Sequence, residues 1–199
     1  MNKKGFTLIE LLAVVIILGV VMTIAVPSVL SMLDRNKRDT FIEHAKTMVN
    51  QAEYTLRKDT NIDYPTNDGD AIILTLEYLN TEDISESPYD TPYSPSRSFV
   101  AIVNSTEGEI IEYKYYVHLV ACTDIECLNS EDNSVNKNRG INLIDSDNLS
   151  GGDRFSLVKE GSNVDVSLGI INEAGTLLSE SEVKNLIGAT NVKVFNKLS

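Results

Sequence analysis

The chain has 199 residues, with 17 Lys and Arg against 29 Asp and Glu, for a formal net charge of −12. That length suits one domain of ordinary size with an appendage, and is enough to bury a core. Residues 59–199 hold nine basic side chains against twenty-four acidic ones, so this part repels nucleic acid and anionic lipid, and nucleic-acid binding through it is not expected.

The first part of the chain differs in kind. Residues 1–58 hold eight basic and five acidic side chains, and from residue 6 to residue 33 the single charge is Glu10. At about 1.5 Å per residue those twenty-eight residues make a helix of roughly 42 Å, longer than a bilayer core of about 30 Å. A secretory signal peptide has a shorter apolar region, about 7–15 residues, followed by a small-residue cleavage site. No Ala-x-Ala follows this run. A plain membrane anchor accounts for the length but not for Lys3-Lys4-Gly5-Phe6 or Glu10. An acid at the centre of a spanning helix costs about 2.5–3.5 kcal/mol on insertion scales, so Glu10 calls for a partner. Lys3 and Lys4 precede the segment and Arg35, Lys37 and Arg38 follow it, so flanking charge does not set its orientation.

Lys3-Lys4-Gly5-Phe6-Thr7-Leu8-Ile9-Glu10 resembles the processing site of type IV pilins and of the related pseudopilins of secretion and DNA-uptake machines. The resemblance covers roughly residues 1–35. It implies a leader of residues 1–5, removed by a prepilin peptidase between Gly5 and Phe6, and N-methylation of Phe6. It places the N-terminus in the cytoplasm and the head outside. Residues 6–33 then form a transmembrane helix that rests in lipid and later drives assembly on an inner-membrane platform. The freed amine of Phe6, with a reference pKa of about 7.7–8, is mostly cationic. It lies one helical turn from Glu10 of its own chain. An axial stagger of about a turn brings it to Glu10 of a neighbour, where the pair fixes register more than it stabilises. The other reading of Glu10 is an acid tolerated near the headgroup boundary. Gly19 and Pro27 lie in the same segment. Pro27 removes a helix donor, at about 3 kcal/mol in a soluble helix interior, and a simple kink is one reading of it. The family implies another, in which the stretch between a matching Gly and Pro loses helicity in the fibre.

Past the membrane segment, Phe41, Ala45, Met48, Ala52 and Leu56 recur at steps of three and four. They predict an amphipathic helix over residues 34–58. It ends near Lys58-Asp59, where Asn61, Pro65, Asn67 and Gly69 signal a loop. Residues 72–79 read as a short helix, and Ser87-Pro88-Tyr89-Asp90-Thr91-Pro92-Tyr93 as a turn-rich loop. Residues 99–104 form a mostly apolar run. From Ile111 the alternation is clear, with Tyr113, Tyr115, Val117 and Leu119 on one face and Lys114, Tyr116 and His118 on the other. Val164, Val166, Leu168 and Ile170 repeat the pattern, and Val192 with Val194 adds a terminal strand. The expected fold class is therefore α+β. A long N-terminal helix, half transmembrane and half amphipathic, packs on one face of an antiparallel sheet in a globular acidic head of residues 59–199. Such a layout is pilin-like. Residues 127–153 read as a hydrophilic, exposed excursion.

Cys122 and Cys127 close a small disulfide loop if the head is extracellular, or remain two free thiols. The pair departs from the larger C-terminal loop of many Gram-negative pilins. With His44 and His118 as the only histidines, a zinc site lacks ligands. Asp145, Asp147 and Asp153 beside Gly151-Gly152 are a weak calcium candidate that fits no EF-hand spacing; a solvated acidic loop is the default reading. No catalytic motif is present, so no enzyme and no cofactor are expected. Two function classes follow. One is a filament subunit: a major or minor type IV pilin or, alternatively, a pseudopilin of a type II secretion or competence machine. The other is a membrane-anchored receptor or adhesin that does not polymerise. Adhesion, twitching motility and secretion are the activities such filaments serve.

Overall fold

A computed structural model describes residues 7–81, 84, 86–95, 97–106, 108, 110–122, 135–149 and 180–195. The chain divides into two compact units, Met1–Arg38 and Asp39–Ser199. The helix α1 (Leu8–Lys58) supplies the described part of the first unit and the opening element of the second.

In the second unit the helical stripe does what its spacing predicts. Phe41, Ala45, Met48, Ala52 and Leu56 are all buried, and the two alanines and Met48 are fully so. They share one core with Ile72 and Leu74, Val100 and Ile102, and Val117 and Leu119, which are alternate residues of three neighbouring strands. The small side chains of Ala45 and Ala52 let the helix backbone approach the sheet, while Phe41, Met48 and Leu56 fill the space between.

The strands are β1 (Asp70–Thr75), β2 (Phe99–Asn104), β3 (Tyr113–Cys122), β4 (Val135–Asp145) and β5 (Asn191–Phe195), in spatial order β4-β3-β2-β1-β5. Neighbours pair antiparallel from β4 to β1, whereas β5 runs parallel to β1 with Asp70 opposite Asn191 and Ile73 opposite Val194. The sheet is thus mixed rather than antiparallel throughout. Its central strands β1 and β2 are also buried on both faces. Ala71, Ile73, Phe99, Ala101 and Val103 form a second core with Ile187 and Ala189, at and beyond the end of α3 (Glu180–Ile187).

Burial on both faces corrects one expectation. Residues 72–79 are not one helix: Ile72 to Thr75 belong to β1, and only α2 (Leu76–Leu79) is helical. Thr75 caps that turn by accepting from the Tyr78 N–H, and Asn80 ends it in the left-handed region at φ 45°. The hydrophilic stretch of residues 127–153 is not a wholly exposed excursion either. It contains β4 and a 3₁₀ turn (Ser146–Asn148), and Gly140, Ile141 and Leu149 in it are buried. Gly140 fits there because a Cβ would stand 2.2 Å from the Leu119 carbonyl oxygen, where the β3–β4 register slips. The turn-rich loop at residues 87–93 holds as read. Ser87 donates to the Thr91 carbonyl at 2.7 Å, and the returning Tyr93 bridges to Ala121. The strand expected at residues 164–170 lies outside the described residues.

Candidate functional site

The apolar part of α1 begins with a local polar knot. Thr7, just before the helix, accepts at Oγ1 from the Glu10 N–H (3.4 Å), while Glu10 Oε2 accepts from the Thr7 N–H and from the Thr7 hydroxyl, both at 2.8 Å. This reciprocal pairing is a capping box, which satisfies donors that the first turn of any helix leaves open. A carboxylate at that end also meets the positive pole of the helix dipole. Glu10 Oε1 takes no hydrogen bond among the described residues. In the sequence the box Thr7-x-x-Glu10 is hidden by the apolar run around it.

From Leu8 to Leu33 the large apolar side chains are all exposed, Leu8 at 82% and Ile24 at 75%. A soluble monomer rarely exposes contiguous apolar surface on this scale. The mean hydropathy of the best 18-residue window reaches 2.8, so this helix is long and apolar enough to cross a membrane. Inside it, the Thr23 hydroxyl donates to the Val20 carbonyl at 2.6 Å and so carries no open donor into the apolar layer. The helix runs through both Gly19 and Pro27 in the single chain. A Cβ on Gly19 would meet nothing within 4 Å, so no contact among the described residues demands glycine there. Just past the apolar stretch, Asp34 and Arg38 form an exposed i,i+4 ion pair at 3.0 Å, a pairing worth a few tenths of a kcal/mol (~0.3–0.5).

Of the other candidate residues, Gly5, Phe6, Cys127 and Asp153 lie outside the described residues. Cys122 ends β3, fully buried and disulfide-bonded. Asp145 uses its carboxylate to accept from the Asp147 N–H at 3.0 Å, capping the 3₁₀ turn. Among the described residues no group of three His, Cys, Asp or Glu side chains is placed to hold a metal ion. The structure thus brings together Thr7 and Glu10, and leaves Cys122 and Asp145 in separate structural roles.

The family model of the prokaryotic N-terminal methylation motif matches residues 1–26. The chain carries the prepilin signature of type IV pilins and pseudopilins. The matched stretch spans Gly5, Phe6, Glu10 and Gly19 and stops one residue short of Pro27. No curated protein and no solved structure matches the chain. The prepilin signature gives the capped, exposed helix a context: an apolar segment fit for membrane anchoring and then for packing against other subunits in a surface filament. The head has an α+β, pilin-like layout of a long N-terminal helix followed by a five-stranded sheet.

Proposed function

We propose that this chain is a structural subunit of an extracellular type IV pilus, major or minor, and not an enzyme. The observation that carries this reading is the run of exposed apolar side chains from Leu8 to Leu33 under a prepilin motif, with Glu10 as its single charge. In this reading a prepilin peptidase removes residues 1–5 and Phe6 becomes the methylated N-terminus. Residues 6–33 span the cytoplasmic membrane once, residues 34–58 form the amphipathic spine of the head, and residues 59–199 complete it. An inner-membrane platform then moves the subunit from lipid into the fibre.

Glu10 acts as the register device. Its Oε2 is held by Thr7, and its Oε1 is open to receive the Phe6 amine of a neighbouring subunit. Gly19 and Pro27 mark the stretch of helix that yields when the fibre forms. Cys122 pairs with Cys127 across a short loop at the end of β3.

The test is the amount of sheared extracellular filament that carries the subunit, compared at equal membrane levels. Glu10→Lys is expected to insert and be processed normally but to reach the filament far less. A buried amine left without its carboxylate costs about 3–5 kcal/mol per contact, and the lysine adds repulsion. Equal incorporation of Glu10→Lys and wild type would remove the register role. If wild type yields no sheared material, the anchored receptor is the better reading.

A further inference from the structure

At one end of the sheet a cleft of about 560 Å³ opens between the segment at residues 63–67 and the first residues of β1 and β5. That volume lies within the range of ~300–1,000 Å³ usual for small-molecule sites. Because β1 and β5 are parallel, both strands begin at this end, and Asp70 and Asn191 stand side by side in register. The cleft presents Asp63, Tyr64 and Asn67 from one wall and Asp70, Asn191 and Lys193 from the other.

Its polar groups are held in place. Asp70 Oδ2 accepts from the Asn67 side-chain amide at 2.7 Å and from the Asn67 N–H at 3.2 Å, while Oδ1 accepts from the Asn191 side-chain amide at 2.9 Å. The Asn191 and Asn67 donors, with Lys193 nearby, hold the Asp70 carboxyl below the usual carboxylate range. Among the described residues each asparagine spends one amide N–H on Asp70 and keeps a carbonyl oxygen and a second N–H for something else. The wall behind them is fixed as well. Buried Asn104 donates to the Pro65 carbonyl at 2.9 Å, and Thr190 donates from its N–H to the Gly69 carbonyl at 2.7 Å. Gly69 adopts φ +78°, and a Cβ there would press to 2.9 Å from Thr190 Oγ1, so this close approach depends on glycine.

The chemistry narrows the ligand. Asp63 and Asp70 outnumber Lys193, in a head that is strongly acidic overall, so an anion is disfavoured. A metal ion is poorly served, because the fixed carboxylate is already engaged by three N–H donors. What the cleft offers is a dense set of mixed acceptors and donors next to one aromatic face. Tyr64 is 40% exposed and leans on Tyr113, ring centroids 5.6 Å apart. Hydroxyl groups both donate and accept, and the C–H-lined face of a pyranose ring packs on an aromatic ring.

We propose that this cleft binds a neutral pyranose, as a free sugar or as the exposed end of a glycan. Asn67, Asn191 and Asp63 take its hydroxyls, and Tyr64 takes its apolar face. The proposal goes beyond the filament reading and does not rest on it.

The test is ligand-observed saturation-transfer NMR on the full chain, in a detergent without a sugar headgroup. The probes are the methyl glycosides of glucose, galactose, mannose and N-acetylglucosamine, and a branched neutral oligosaccharide carrying the same terminal residues. At least one monosaccharide probe is expected to receive saturation. A stronger response from the oligosaccharide assigns a glycan as the source; an equal response assigns the free sugar. Tyr64→Ala and Asn191→Ala are each expected to weaken binding by about fivefold or more, with the far-UV circular dichroism unchanged. Glu43→Gln, at an exposed position of α1 outside the cleft, is expected to leave binding unchanged. The proposal is overturned if no neutral glycoside responds, if both cleft variants bind as wild type does, or if glucuronate or calcium ion binds in place of the neutral probes.

Discussion

His44 Nδ1 and the Tyr93 hydroxyl share a hydrogen bond of 2.8 Å, which fastens α1 to the segment that returns from the turn-rich loop and bridges to the end of β3. The rings meet edge to face with centroids 5.7 Å apart, and Phe41 packs edge-on against the same tyrosine at 5.9 Å. Burial raises the Tyr93 phenol far above its ordinary value and lowers His44 below the usual histidine range. A histidine whose pKa falls on folding binds fewer protons folded than unfolded. Stability is therefore full above the unfolded value of about 6.5 and declines as pH falls from there toward the folded value. The urea midpoint of the chain is expected to drop between pH 7.5 and pH 5.5. His44→Gln, which does not titrate, should flatten that part of the profile. An unchanged slope in the variant would assign the acid sensitivity to other groups.

Processing has a mass signature. Co-expressed with a prepilin peptidase, the chain is expected to lose five residues and begin at Phe6, with one added methyl group, read by intact-mass spectrometry. Gly5→Val should block the cut by crowding the scissile peptide with a β-branched side chain. A mature chain that keeps Met1 would contradict the reading.

The capping box can be weighed without any filament. Thr7→Val keeps the bulk but loses the hydroxyl, and loss of such a cap costs about 1 kcal/mol. Amide exchange in the first turn of α1, measured in detergent micelles, should quicken by about fivefold. Thr7→Ser should restore it.

Met48 tests the helix–sheet core. It is fully buried among Ile72, Val100 and Val117 side chains of the same core. Met48→Ala should cost about 2–5 kcal/mol through lost burial and a cavity. Ala45→Leu should cost about 1–3 kcal/mol through overpacking at a fully buried position of that core. Thermal unfolding of a chain lacking residues 1–33 gives both numbers, and that shortened chain is itself expected to be a soluble, acidic monomer.

Legibility followed how regularly polar side chains interrupt each apolar run. The stripe from Phe41 to Leu56 could be read because the helix has a wet side that breaks the apolar pattern at a fixed period, and the alternation from Tyr113 to Leu119 because Lys114 and His118 break it, although His118 is itself buried. Ala71-Ile72-Ile73-Leu74 has no wet side. It lies between two cores with β5 on its flank, so an unbroken apolar run gave no period and resembled a helix. Only Gly140 to Ile144 of β4 reads as partly apolar within a polar stretch, and its pairing with β3 slips twice, which blurs the alternation further. At the N-terminus, Glu10 was visible as a lone charge, while the role of Thr7 was masked by apolar neighbours. The cleft was illegible in principle, since Asp70 and Asn191 are brought together by a pairing across most of the head.

That pairing sets an order of events for a head synthesised from its N-terminal side onward. β1 emerges early, yet its parallel neighbour β5 begins only at Asn191, 121 residues after Asp70. Contacts so distant in sequence form late. Until they do, the β1 backbone has β2 on one flank and an unclaimed row of hydrogen-bonding groups on the other, carried by one of the most apolar stretches in the head. A subunit whose translation stops before Asn191 is therefore sticky rather than merely inactive. β5 acts as the clasp that covers this flank of β1.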